Sequence, residues 1–189
     1  IECSRCLLTL DDDRDITFDA RNVCSHCLAF DQSWENVPKT VDESFALVDK
    51  SIEKMKRENI GQTYDCLLGV SGGVDSTFLA LRLVQLGVKP LLIHFDNGWN
   101  SELAVMNIQN IVDTLGLDLI TYVIDWDDFR ELQLAYLKAS VIDIEVLTDH
   151  AIYGAMYQVA IDQQITTIVS GVNVATEQVL PQGWIYDKL

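Results

Sequence analysis

From Tyr64 onward the chain alternates short apolar runs with amphipathic segments of helical period, and few folds accept that alternation. Residues 66–70 read as a strand, followed by Ser71-Gly-Gly-Val-Asp-Ser76 and a helix over residues 75–86 that Gly87 ends. Residues 91–95 read as a second strand. Its helix covers residues 101–115, with Val105, Ile108, Val112 and Leu115 on one face and Gly116 as the stop. Residues 119–124 read as a third strand, and residues 127–138 as a helix with an acidic first turn. Thr148 reads as the cap of a helix that turns Ala151, Ile152, Ala155, Met156 and Val159 inward. Residues 165–170 form a strand apolar enough for burial on both faces. Strands alternating with helices of this length specify an α/β domain around a mostly parallel sheet.

The first part of the chain is built differently. Cys3-Ser-Arg-Cys6 and Cys24-Ser-His-Cys27 are two CxxC pairs separated by 17 residues. Two CxxC turns can present four thiolates to one ion as a tetrahedron, so the pattern reads as a structural zinc ribbon with four cysteine ligands. Two disulfides or a pair of redox motifs are the other readings; an intracellular setting disfavours the first, and a redox motif needs no second pair. Four cysteines leave no open coordination position, which makes the metal structural, and His26 reads as a bystander between ligands. The run Asp11-Asp-Asp-Arg-Asp15 reads as solvated, leaving little apolar material for a core. The remaining cysteine, Cys66, lies in an apolar run and reads as a packed core residue.

Residues 31–39 read as a linker. Thr40-Val-Asp-Glu43 is a capping box that opens a helix with an apolar stripe at Val41, Phe45, Val48, Ile52 and Met55. Gly61 closes it, and Lys50, Lys54, Lys56 and Arg57 read as its solvated face. Two domains result: residues 1–38 as the four-cysteine zinc-ribbon module and linker, and residues 39–189 as the α/β domain.

Composition narrows the function. The 189 residues carry 29 Asp+Glu against 13 Lys+Arg, a formal charge of −16. From Leu91 onward only Arg130, Lys138 and Lys188 stand against fourteen acidic groups. Phosphate-backbone affinity is built from clustered basic side chains, so a nucleic-acid partner is not expected. No run approaches the length of a membrane span, and no basic-then-apolar leader opens the sequence, so a cytoplasmic protein without a membrane partner is expected.

Ser71-Gly-Gly-Val-Asp-Ser76 sits where α/β sheets bind ligands, between the first strand and its helix. Gly72 and Gly73 let backbone amides approach an anion, Ser71 and Ser76 add hydroxyls, and the helix N-terminus adds free N–H groups. The string is neither a Walker A motif nor the dinucleotide fingerprint. A bare strand–helix turn without ligand is the alternative.

The string resembles the signature of the PP-loop, or N-type, ATP pyrophosphatases, which implies a Rossmann-like parallel sheet of that type. Those enzymes split ATP to AMP and pyrophosphate and grip the pyrophosphate portion in this loop. The resemblance implies ATP contacts from Ser71, Gly72, Gly73, Val74, Asp75, Ser76 and Gly171, with Asp75 near Mg²⁺-bound phosphates as a catalytic residue. It also implies adenine against the chain after the second strand, where His94 and Asp96 stand; a core role is the alternative for His94.

Longer strings resemble one branch, the N-acetyl sugar amidotransferases. They are Cys-x-x-Cys-Leu, Asp15-Ile-Thr-Phe-Asp19, Asp96-Asn-Gly-Trp-Asn-Ser-Glu-Leu-Ala104, Tyr122-Val-Ile-Asp-Trp126, Thr148-Asp-His150, Ser170-Gly-Val-Asn-Val-Ala-Thr-Glu177 and Leu180-Pro-Gln-Gly-Trp184. The family reads Gly-Glu-Asn where this chain has Gly171-Val-Asn173, and family chains continue past Lys188-Leu189, so a longer chain is expected. By this resemblance an acetamido group on an activated, nucleotide-linked amino sugar becomes an acetamidino group, in bacterial surface-glycan biosynthesis. Ammonia would come from a separate glutaminase subunit, since Cys66 precedes a phosphate loop and no nucleophile turn is present. Asp149 and Asn173 are the further catalytic candidates, and Trp99, Asn100, His150, Thr176 and Glu177 the substrate candidates. Trp99 stacks on a ring or covers the core. Rival readings are a tRNA-modifying PP-loop enzyme and a non-catalytic nucleotide-binding subunit.

Overall fold

The computed structural model describes residues 1–35, 37–141 and 143–172. They form two compact units, one holding Ile1–Ser44 and the other Phe45–Gly171. No helix among the described residues is long and apolar enough to cross a membrane.

The larger unit is α/β. Its strands are β1 (Cys66–Gly69), β2 (Pro90–Asp96), β3 (Leu119–Val123) and β4 (Ile168–Val169), all parallel, in the order β3-β2-β1-β4. The pleat divides the core. Cys66, Leu68, Val70 and Leu92 face Met55 of helix α2 (Val41–Glu58), Ala80 and Leu83 of α3 (Val74–Gln85), and Ile108 and Ile111 of α4 (Glu102–Leu115). Leu67, Leu91 and Ile93 face Ala155, Met156, Val159 and Ala160 of α6 (Val146–Asp162). This period-two split of a nearly continuous apolar run is what a sheet covered on both faces requires.

Several starts and stops follow the local chemistry. Thr40 Oγ1 accepts from the Glu43 N–H at 3.2 Å, and the Glu43 carboxylate accepts from the Thr40 and Lys39 N–H groups. Ser101 caps α4 through the Ala104 N–H, Asp125 caps α5 (Trp126–Lys138), and Gly116 ends α4 in the left-handed region.

Other expectations need correction. The segment read as a linker is largely helix: α1 (Ser25–Glu35) runs through Asp31, because Phe30 and Trp34 stack one turn apart at 5.5 Å. Thr148 is no cap. It is buried inside the first turn of α6, whose bonding starts earlier, with the Asp149 N–H on the Glu145 carbonyl. The last strand is two residues long and half-buried; among the described residues it pairs only with β1. Val41, Phe45 and Val48 of α2, and Val105 of α4, are exposed; packing against the sheet begins at Ile52 and at Ile108. Lys56 is not merely solvated, for its ammonium donates to the Leu86 carbonyl at the end of α3 (3.1 Å). Buried Asn59 was not anticipated. It bonds the Met55 carbonyl and accepts from the N–H and hydroxyl of Thr166, tying the end of α2 to the approach of β4.

Candidate functional site

The strand order reverses at β1: β2 and β3 lie to one side and β4 to the other. In such sheets ligands bind beyond the carboxyl ends at this switch. Ser71–Ser76 leaves β1 here, and Gly171, leaving β4, approaches so closely that a Cβ on it would lie 3.4 Å from the Ser76 nitrogen.

Gly72 has φ +76° and is buried, and a Cβ there would lie 2.4 Å from the Ala104 carbonyl oxygen in the first turn of α4. Its own carbonyl accepts from the Asn107 side chain at 3.0 Å. The loop is thereby wedged against α4. Gly73 is the N-cap of α3 in extended conformation, with no side chain capping the helix, so first-turn N–H groups remain for an anion. The Gly73 carbonyl instead accepts from the Thr77 and Ser76 hydroxyls, at 2.6 and 3.4 Å. The Ser71 N–H reaches the Ser76 Oγ, and Ser71, Val74 and Asp75 are exposed around this turn. Uncapped amides, the neighbouring Ser71 hydroxyl and an exposed carboxylate form a donor set suited to a polyphosphate with its cation; Asp75 is the residue that would hold Mg²⁺.

His94 is buried, and its Nδ1 donates to the Val70 carbonyl at 3.2 Å, immediately before the loop. It therefore holds the exit of β1. Asp96 ends β2 and accepts from the Gly98 N–H and the Asn100 side chain through Oδ1. Trp99 is exposed and does not cover the core; its indole N–H donates to Gln133 at 2.9 Å and its ring meets Trp126 edge-on at 6.0 Å.

Asp149 lies in the first turn of α6 and His150 follows it in the helix. Partial burial and the charge of Asp143 raise the Asp149 carboxyl, and His150 offsets this in part. Asn173, Thr176 and Glu177 lie outside the described residues. Asn107, Thr77, Trp126 and Gln133 were not foreseen; the one signal available was a polar Asn107 beside the apolar stripe of α4.

The four-cysteine module occupies the other unit. The sulfurs of Cys3, Cys6, Cys24 and Cys27 lie within 4.8 Å of one another, with Cys3–Cys27 at 3.9 Å and Cys6–Cys24 at 3.5 Å. Zinc–sulfur bonds of about 2.3 Å in a tetrahedron separate sulfurs by roughly 3.8 Å, so the set fits Zn²⁺. All five cysteines are free thiols. The Arg5 and Cys24 N–H groups point at the Cys3 sulfur. Burial pushes the Cys3 thiol up, but the backbone N–H groups of Cys6, Arg5 and Cys24 outweigh it and bring it to about 6, while burial raises Cys6 and Cys27. Cys66 is buried with its thiol pushed up to about 12, as a core residue would be.

Asp13 is not solvated as its run suggested, and His26, although outside the four-sulfur set, is its partner. Asp13 is 3% exposed; its carboxylate pairs with His26 Nε2 at 2.7 Å and accepts from the Asp15 N–H. The pair clasps the acidic loop onto the turn that carries Cys24 and Cys27. Asp13→Asn is expected to speed zinc loss to a chromophoric chelator about tenfold, an effect typical of groups that orient ligands. An unchanged release rate would refute the clasp.

No protein-family model matches this chain, and no curated protein matches it. Solved structures do. One is an NH3-dependent NAD synthetase from Campylobacter jejuni, 14% identical, with a TM-score of 0.48 over 66% of this chain and 55% of that one. Another is an NMN synthetase from Francisella tularensis, 16% identical, at 0.47 over 66% and 54%. A third is described as a predicted subunit of tRNA methyltransferase from Methanocaldococcus jannaschii, 16% identical, at 0.45 over 60% and 55%. The chain thus spans little more than half the length of each. At such identities and scores the likeness says nothing of what this chain binds.

Proposed function

We propose that the chain is an AMP-forming, ATP-dependent amidotransferase that converts the acetamido group of an activated amino sugar to an acetamidino group. The observation that carries this reading is Ser71-Gly-Gly-Val-Asp-Ser76 wedged into the strand-order switch, with its amides uncapped and Asp75 exposed beside them. The sugar branch is supported by the Asn-Gly-Trp-Asn-Ser-Glu string that follows β2.

The amide oxygen attacks the α-phosphorus of ATP and pyrophosphate leaves into the loop. Ammonia adds to the imidate carbon, and AMP departs with the former amide oxygen. Amide oxygen is a poor leaving group and adenylate a good one, which explains the use of ATP on so inert a bond. Uncapped N–H groups at the start of α3 and the Ser71 and Ser76 hydroxyls stabilise the departing charge. Bound Mg²⁺ would neutralise phosphate charge. His94 holds the β1 exit, and Asp149, the raised carboxyl on α6, is proposed to move a proton from the incoming ammonia. Zn²⁺ in the four-cysteine module is structural. Ammonia supply by a separate glutaminase subunit and a cytoplasmic location belong to the same proposal.

The test incubates the full chain with ATP, Mg²⁺, ammonium and a panel of nucleotide-linked N-acetyl sugars. The expected result is stoichiometric AMP with exchange of one oxygen for an NH group in the sugar, read by mass spectrometry. Asp75→Ala should lower AMP release at least about a hundredfold while leaving zinc content intact. AMP formation that depends on tRNA and ignores sugar would overturn the reading.

A further inference from the structure

We infer that Trp99 is a preorganised stacking platform for the pyranose ring of the sugar substrate, held face-open by Gln133 and Trp126; the inference rests on the sugar-amidotransferase reading. An indole left 69% exposed gains little from burial, yet this one is fixed from several sides. Its Nε1 donates to Gln133 Oε1 at 2.9 Å, and its ring stands against Trp126 at an interplanar angle of 71°. Its backbone N–H is held by Asn97 Oδ1 at 3.1 Å. Gly98, at φ +79°, leaves the room for Trp126: a Cβ there would come within 3.0 Å of that ring. Asp96 braces the same turn through the Gly98 N–H and the Asn100 amide. Fixing an exposed aromatic ring before a ligand arrives removes the ordering cost from the binding step.

Chemistry and position both select the ligand. With the indole N–H committed to Gln133, only the flat face remains to be offered. Carboxylates stand nearby: Asp96 lies at the base of the turn, and Asp127, its side chain 85% exposed and 3.9 Å from the Arg130 guanidinium, follows Trp126 directly. Carboxylates repel an anionic group but accept from hydroxyls. A pyranose combines an apolar C–H face with a rim of hydroxyl donors, which matches both halves of this surface. Trp99 also stands five residues ahead of Ala104, whose backbone abuts Gly72 of the loop.

The test titrates the folded full chain with UDP-N-acetylglucosamine, UDP and ATP, and reads which ligand protons receive saturation from the protein by NMR. Saturation is expected on the pyranose protons. Trp99→Ala should weaken UDP-N-acetylglucosamine at least about tenfold, with ATP affinity within about twofold and the melting temperature unchanged, since the side chain is exposed. Trp99→Phe should retain most of the binding. Gln133→Leu should weaken binding several-fold in the wild-type background and not in Trp99→Phe, which has no N–H to hold. Equal sugar affinity in wild type and Trp99→Ala, or saturation confined to uracil or adenine, would overturn the platform alone. Failure of the wild type to bind the nucleotide sugar would overturn the platform together with the sugar reading.

Discussion

Gly72→Ala is expected to abolish ATP turnover and lower the melting temperature, whereas Gly73→Ala, one residue on, is expected to do little. At position 72 the new methyl would sit 2.4 Å from the Ala104 oxygen and 2.8 Å from its Cα, both backbone atoms that no rotamer change can move. The left-handed φ of +76° adds a further cost for any side chain. Together, a left-handed alanine and an overpacked contact cost about 2–4 kcal/mol, or roughly 5–15 °C in Tm. The loop can escape only by shifting away from α4. A shift of about an ångström in a group that positions phosphates lowers turnover on the order of a hundredfold. Gly73 has φ −82°, and the nearest atom to its added Cβ is the mobile Ser71 Oγ at 3.3 Å. Calorimetry and AMP release on the two variants decide the matter; normal Tm and turnover in Gly72→Ala would refute the wedge.

Stripping the metal from the four-cysteine module, by chelation or by Cys27→Ser, is expected to unfold Ile1–Ser44 and leave the transition of Phe45–Gly171 in place. The buried cluster of the small unit consists of Cys3, Ile16, Val23, Cys24 and Cys27, with Leu8, Phe18 and Leu28 half-covered against it. Three of its five buried members are thiol ligands, so the apolar core is far below what a free-standing fold of this size needs. Structural zinc supplies about 10–16 kcal/mol of binding energy that becomes folding energy. Amide hydrogen exchange resolves the two units. Protection retained in Ile16, Val23 and Leu28 without metal would refute the claim.

What was legible in the sequence was what local chemistry decides. The capping box at Thr40 and Glu43, the Gly116 stop and the turn that leads from β1 into α3 each lie within a few residues, and each forms as read. The CxxC pairs were legible because their spacing is itself the geometry of a ligand turn. What escaped depends on partners far along the chain. Gly72 was read as room for an anion; its left-handed φ and tight approach to Ala104 come from a helix about thirty positions later. The clasp on Asp13 was hidden inside a run of charges that looked uniformly solvated, because only His26, brought near by the fold of the four-cysteine module, distinguishes one aspartate from its neighbours. Trp99 was readable as ring-binding or core-covering; its exposure removes the second reading, and the proposal of the first needed Gln133 and Trp126.

The tie between Asn59 and Thr166 spans 107 positions, and it seats the strand whose exit, Gly171, walls the phosphate loop. During synthesis the loop therefore emerges from the ribosome long before its opposing wall. A nascent chain halted before β4 carries the full Ser71–Ser76 string and still lacks half of the crevice. The pairing of β1 with β4 joins segments about a hundred residues apart, a non-local contact of the kind that slows folding. On the proposed function, competence to grip ATP is therefore a property the chain gains only once β4 is in place.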